Sequence, residues 1–173
     1  MRLRNVRAGD VEAYVRMRCD PVMMAELGGP LPRERVERRL RTDLALVAAD
    51  TAWIRMIVPD GAEDDEAAGV VTLWSDEEDG ETVSEIGWMV LPEHQGRGLA
   101  KAAVRRVLDA AAEDGRWGEV HASPGTTNGP SNGICRALGF RLLGERDLDF
   151  SDRVLRTNHW VVVPGEHLGS GTE

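Results

Sequence analysis

The stretch HQGRGLAKAA, residues 94–103, sets two glycines one residue apart beside two cations and runs directly into small helix-forming residues. Glycine admits backbone conformations and close approaches denied to other residues, and the first turn of a helix leaves N–H groups unpaired. The stretch therefore reads as a turn into a helix, built to hold an anion. A dinucleotide fingerprint would need glycine or alanine three places after Gly98, where Lys101 stands. A P-loop would need Lys-Ser or Lys-Thr after a longer glycine spacing, and the chain has no such run.

Working outward, ETVSEIGWMV (81–90) before the turn is rich in β-formers, and from Gly98 to Glu113 small and long residues recur at helical spacing. Upstream, TAWIRMIV (51–58) and AAGVVTLW (67–74) read as strands that form an antiparallel meander with 81–90, the turns being PDG and SDEEDG. Downstream, GEVHAS (118–123) is a fifth strand and PSNGICRAL (130–138) a short helix, with Pro130 suited to its first turn and Gly139 to its C-terminal cap. Residues 139–150 and 153–164 pair as a terminal hairpin. At the other end RLRNV is a strand, Asp10 an N-cap for a helix reaching Arg18, and Arg33 to Ala48 a second helix with a break near Thr42. The order is strand, two helices, three strands, helix, strand, helix, two strands, an α/β (α+β) arrangement.

At 173 residues, with no Pro/Ser-rich linker, the chain reads as one domain over 1–164 and a polar tail, 165–173, that frays. Its 42% hydrophobic and 29% charged residues are ordinary globular values. The net charge of −9 disfavours a nucleic-acid partner, which needs a basic stripe, and suits a cationic or amine-bearing one as well as plain solubility. Cys19 and Cys135 stand far apart in no metal-ligand spacing, so neither a disulfide framework nor a metal site is signalled. Apolar runs are only strand-length, and MRLRNVRAGD has no signal core, which points to a cytoplasmic chain without a membrane partner.

Gln95-Gly96-Arg97-Gly98-Leu99-Ala100 fits the pattern Q/R-x-x-G-x-G/A, and it is followed by Asn128, Ser131 and ALGF (137–140). This composite resembles the GNAT superfamily of N-acetyltransferases along nearly the whole chain, most like the ribosomal-protein alanine acetyltransferase branch. The resemblance implies a mixed, mostly antiparallel central sheet of about seven strands flanked by helices, splayed between the strands at 81–90 and 118–123. It implies acetyl-CoA as cosubstrate and no metal. The pyrophosphate would meet Gln95, Gly96, Arg97, Gly98, Leu99, Ala100 and Lys101, and the pantetheine arm would lie along Trp88, Met89 and Val90 and near Asn128 and Ser131.

By the same resemblance Glu85 is the candidate base, with His121, Glu119 and His159 behind it. Ser131 is the candidate acid, because Cys135 stands where many members carry a tyrosine. Structural readings stand beside these: Asn128 and Ser131 as helix caps, Glu85 as an ion-paired strand residue, and Cys135 as a small core residue. Met23, Met24, Trp74, Trp88 and Trp160 are either acceptor-pocket lining or core. The implied activity is direct transfer of acetyl to a primary amine of a protein N-terminus or small molecule. An aminoglycoside or polyamine acceptor and a non-catalytic acyl-CoA sensor are the alternatives, and a homodimer is compatible with the sequence.

Overall fold

The computed structural model describes residues 1–63, 66–78, 81–150 and 153–167. Its elements are β1 (Arg2–Asn5), α1 (Val11–Arg18), α2 (Arg33–Ala48), β2 (Ala52–Val58), β3 (Gly69–Glu78), β4 (Glu81–Val90), α3 (Leu99–Asp114), β5 (Val120–Ala122), α4 (Gly129–Ala137), β6 (Arg141–Phe150) and β7 (Arg153–Val162). The order agrees with the sequence reading. Hydrogen-bonded neighbours run β1-β2-β3-β4-β5-β7-β6 in one mixed, mostly antiparallel sheet of seven strands. The parallel exception is β4 with β5, where Ser84 faces Val120 and Glu85 faces His121. By packing, the chain divides into two compact units, residues 1–72 with 88–103 and residues 73–87 with 104–173.

In the first unit, α1 and α2 bury the stripes their spacing dictates: Tyr14 and Met17 on one, Val36, Leu40 and Asp43 on the other. A buried carboxylate needs partners, and Asp43 accepts the Tyr14 hydroxyl at 2.8 Å and Arg39 Nε at 2.8 Å. The Arg18 guanidinium lies 4.7 Å above the centre of the Tyr14 ring. Burial, reinforced by the Asp43 charge, pushes the Tyr14 hydroxyl far above the ordinary phenol range.

Two expectations for this unit are corrected. Asp10 stands at the N-cap of α1 without capping it. A one-turn 3-10 segment, Ala8–Asp10, carries its carboxylate back to the Arg7 N–H at 2.8 Å and to both Arg4 terminal nitrogens at 2.6 and 2.8 Å. Helix α2 runs unbroken through Thr42, whose hydroxyl donates to the Arg38 carbonyl one turn back, at 3.3 Å. The opening strand pairs antiparallel to β2 from Arg2 opposite Val58 to Asn5 opposite Arg55.

In the second unit, α3 buries Val104, Val107, Leu108 and Ala111, again at helical spacing. Short β5 lies between β4 and antiparallel β7, with Val120 opposite Val162 and Ala122 opposite Trp160. The terminal hairpin pairs β6 with β7 from Phe150–Arg153 back to Arg141–Val161, with a bulge between Leu142 and Gly144. Strand β3 extends to Glu78, into acidic residues read as a turn; residues 79–80 lie outside the described residues. Of the tail, residues 168–173 also lie outside them, yet His167 is 2% exposed, with its Nε2 3.1 Å from Asp109 on α3 and its Nδ1 accepting the Gly165 N–H at 3.3 Å.

Asn132 on α4 is the polar centre of this unit. Its amide nitrogen donates to the carbonyls of Gly125 (2.9 Å) and Asn128 (2.8 Å), and its oxygen accepts from Asn158 Nδ2 (2.8 Å) and Trp160 Nε1 (2.9 Å). Each of the four hydrogen-bonding sites of the amide is filled, so α4, the loop before it and β7 share one buried node. Replacing Asn132 with alanine takes the acceptor from the buried Trp160 indole N–H and from the Asn158 amide, while the Gly125 and Asn128 carbonyls keep their backbone partners. A loss of about 2–4 kcal/mol is expected, seen as a lower urea midpoint at unchanged slope.

Candidate functional site

Strand β4 ends at Val90, and the Leu91 N–H donates to the Ala68 carbonyl at 2.8 Å. A single 3-10 turn, Pro92–His94, then delivers the chain to Gln95. Gly96 and Gly98 follow with φ of 71° and 74°, left-handed values that cost a side-chain-bearing residue about 1–2 kcal/mol. A Cβ added at either would meet nothing within 4 Å, so glycine is needed here for the backbone and not for lack of room. Among the described residues, no protein acceptor meets the N–H groups of residues 96–101, and the first closed bond is Ala102 N–H to the Gly98 carbonyl at 3.0 Å. Six donors thus gather at the positive end of α3, with the exposed side chains of Arg97 and Lys101 beside them. The Gln95 side chain, on an exposed residue, folds back along the chain: its Nε2 donates to the Val90 carbonyl at 2.9 Å and lies 3.9 Å from Met23 Sδ. Leu99 and Ala100 are half-buried in the first turn of α3.

Trp88 and Met89 are half-buried and Val90 buried on the closing residues of β4. Gly69 on β3, a residue the sequence reading passed over, lies against them. A Cβ there would stand 2.2 Å from the Met89 carbonyl oxygen and 3.0 Å from Val90 Cα. Nothing in the local sequence distinguishes this glycine from others in strands, because the signal is a distance across two strands.

The second unit holds the remaining candidates. Glu85 and His121 are register partners on β4 and β5, and His121 Nδ1 lies 2.7 Å from His159 Nε2 on β7. Three residues weighed as separate alternatives thus sit side by side on one sheet face. The fourth, Glu119, is exposed just ahead of β5. Asn128 caps α4, its Oδ1 accepting the Ser131 N–H at 3.1 Å. The Ser131 hydroxyl is half-buried and has no partner among the described residues. Cys135 is fully buried, and burial pushes its thiol up to about 12. Trp160 and Met24, at 4% and 3% exposure, are core residues, whereas Met23, Trp74 and Trp88 are half-buried. Among the described residues, no cluster of three metal-binding side chains forms and no helix is long and apolar enough to cross a membrane.

A family model of the acetyltransferase (GNAT) domain matches residues 1–141. Among solved structures, a GNAT-family acetyltransferase from Bacillus anthracis superposes with a TM-score of 0.77 at 17% identity, covering 95% of each chain. The ribosomal-protein-S5-alanine acetyltransferase of Vibrio fischeri gives 0.75 at 17% identity, over 95% of this chain and 93% of that one. The microcin C7 self-immunity acetyltransferase MccE, solved with acetyl-CoA and AMP, gives 0.75 at 16% identity, over 93% and 91%. At these identities the structures speak for the fold.

Gly69→Ala is expected to cost about 2–3 kcal/mol, because the atoms in its way are backbone and β3 must part from β4 to admit a methyl group. The paired control is Gly87→Ala, whose Cβ would rest 3.5 Å from the Trp74 ring in ordinary contact. Thermal unfolding of the two variants should show a loss for the first only.

Proposed function

Because the chain belongs to the GNAT acetyltransferase family, we propose that it carries an acetyl group from acetyl-CoA directly to a primary amine, on a protein N-terminus or a small molecule. The observation that carries this reading is the run of six unpaired N–H groups across Gly96 and Gly98 at the start of α3. Donors preorganised in this way suit the CoA pyrophosphate, with Arg97 and Lys101 adding charge. The backbone of Trp88, Met89 and Val90 is assigned to the pantetheine arm, and an N–H near Met89 or Val90 to the thioester oxygen as negative charge develops on it.

In the proposed reaction the amine must first lose a proton. Glu85 takes it, the nitrogen lone pair attacks the thioester carbon, and the tetrahedral adduct collapses with departure of the CoA thiolate. The second proton on the nitrogen passes through Ser131, whose hydroxyl gives one proton to the sulfur and takes that one in its place, and its lack of a partner among the described residues favours that role. The Cys135 thiol, held up at about 12, retains its proton more tightly than an ordinary thiol. It is also fully buried, whereas Ser131 is half-buried in the first turn of α4. Asn128, already accepting the Ser131 N–H, acts by holding the start of α4 in place.

The net charge of −9 favours a cationic acceptor, which keeps an aminoglycoside or polyamine beside a protein N-terminus. The buried cysteine at the place where many family members carry a tyrosine favours, as a second reading, an acyl-CoA sensor without turnover. Thiol release from acetyl-CoA, measured against a panel of N-terminal peptides, polyamines and aminoglycosides, separates them. Amine-dependent release supports transfer and identifies the acceptor; binding without release supports the sensor.

Gly98→Val is expected to stay folded, since a Cβ at that position meets nothing within 4 Å, and to lose at least about tenfold in CoA affinity through the left-handed backbone it disfavours. Unchanged affinity by titration calorimetry would take the phosphate away from this loop. Glu85→Gln should slow transfer about 10²-fold near neutral pH, with the loss shrinking as rising pH deprotonates the amine. A pH–rate profile superimposable on that of the unaltered protein would remove Glu85 as the base.

A further inference from the structure

The imidazoles of His121 and His159 meet nitrogen to nitrogen, Nδ1 to Nε2 at 2.7 Å, with ring centres 4.9 Å apart. At that distance one nitrogen must carry a hydrogen and the other a lone pair, because two N–H groups would repel and two lone pairs would gain nothing. The two rings thus hold a single hydrogen between them. Antiparallel register puts Val161 opposite His121, so His159, two residues back on β7, shares its sheet face. Parallel register puts Glu85 on that face as well, and register partners lie about 5 Å apart, within reach of one bridging water.

We propose that the His121–His159 pair is the proton sink of the transfer reaction, an inference that rests on the acetyltransferase reading above. In the receptive state His121 donates Nδ1–H to His159 Nε2 and presents its own Nε2 lone pair. The proton that the ammonium loses to Glu85 passes to His121 Nε2. The hydrogen on His121 Nδ1 moves to His159 Nε2, and His159, now carrying hydrogens on both nitrogens, releases the one on Nδ1 to solvent. One proton enters and one leaves. Exchange with solvent between turnovers then restores the first tautomer. The direction is favourable because an imidazole is the stronger base and a protonated carboxyl the stronger acid.

The charged groups facing the pair from neighbouring strands are Glu85 on β4, which favours the imidazolium, and Arg146 on β6, which opposes it. Arg146 pairs in register with Thr157 and donates Nη2–H to Ser123 Oγ at 2.9 Å, on the same face. From α4, Asn132 reaches the alternate residues Asn158 and Trp160, and the Arg136 guanidinium lies 5.6 Å from the Trp160 ring, both on the opposite face. The pair is thus set between one anion and one cation, whose opposed effects offset each other, and because one proton leaves as one enters its net charge is the same before and after the relay. His159 acts through His121 and is a positioning residue for the proton.

The test uses the full chain. Nitrogen NMR of the two imidazoles across pH should show both rings shifting together in a first protonation, with a second, separate step at lower pH. In His159→Gln, whose amide can still bond to His121 Nδ1 but cannot pass a proton on, His121 should titrate alone in one step. Acetyl transfer by that variant should fall about tenfold where the amine is charged, recover as the amine becomes neutral at higher pH, and be restored by added imidazole. Independent titration of the two rings in the unaltered protein overturns the proposal. So does a His159→Gln pH profile superimposable on the original, or a pH-independent loss that imidazole does not restore. If the unaltered protein shows the coupled titration yet releases no thiol with any amine, the acetyltransferase reading has failed and the proton sink falls with it.

Discussion

A parallel pair of strands cannot be closed by a hairpin, and that constraint shapes the middle of this chain. After β4 the backbone must leave the sheet, travel the length of a strand and return before β5 can run in the same direction. Helix α3 is that crossover. A helix entered from the end of a strand presents its N-terminus there, so the unpaired donors of residues 96–101 follow from the topology. Two left-handed glycines make the turn tight enough to keep those donors together. The remaining strand partners are antiparallel or sequential and impose no comparable demand.

The chemistry assigned to the second unit depends on the same short ladder. Ser84–Val120 and Glu85–His121 form its register, and a slip of one residue by either strand would put Glu85 and His121 on opposite faces. Val120 and Ala122 are buried, so such a slip would also place apolar side chains where the polar ones now stand. The core therefore enforces the register, and the register lines up the carboxylate and imidazole. Asn132 extends this order by tying α4 and β7 to one amide, which fixes the helix whose first turn carries Ser131.

Most of the element order was legible because each element carries its own period: apolar stripes on α1, α2 and α3, alternation on β4, and a proline and a glycine bracketing α4. The glycine loop was legible because its residues are consecutive. Asp10 shows where local reading stops. An aspartate before a helix predicts a cap, yet a nearby guanidinium outcompeted the helix N–H groups for its carboxylate. The extension of β3 into an acidic run shows pairing across a sheet overriding local polarity. Gly69, Asn132 and the meeting of His121 with His159 lay beyond reach for a common reason. Each is a relation between residues separated by 20 or more positions, and one sequence contains no measure of distance.

Tyr14 is the chain's single tyrosine, and it lies fully buried between α1 and α2 with its hydroxyl on Asp43. Its folded-state pKa lies far above the value of about 10 for a free phenol, so alkali ionises the opened form first and draws the equilibrium towards it. Tyrosinate absorbs in the ultraviolet where neutral phenol does not, and no second tyrosine contributes a background. The protein consequently carries a built-in optical gauge of one helix pair. The rise of that band in mild alkali counts molecules in which α1 and α2 have come apart, independently of what the five tryptophans report.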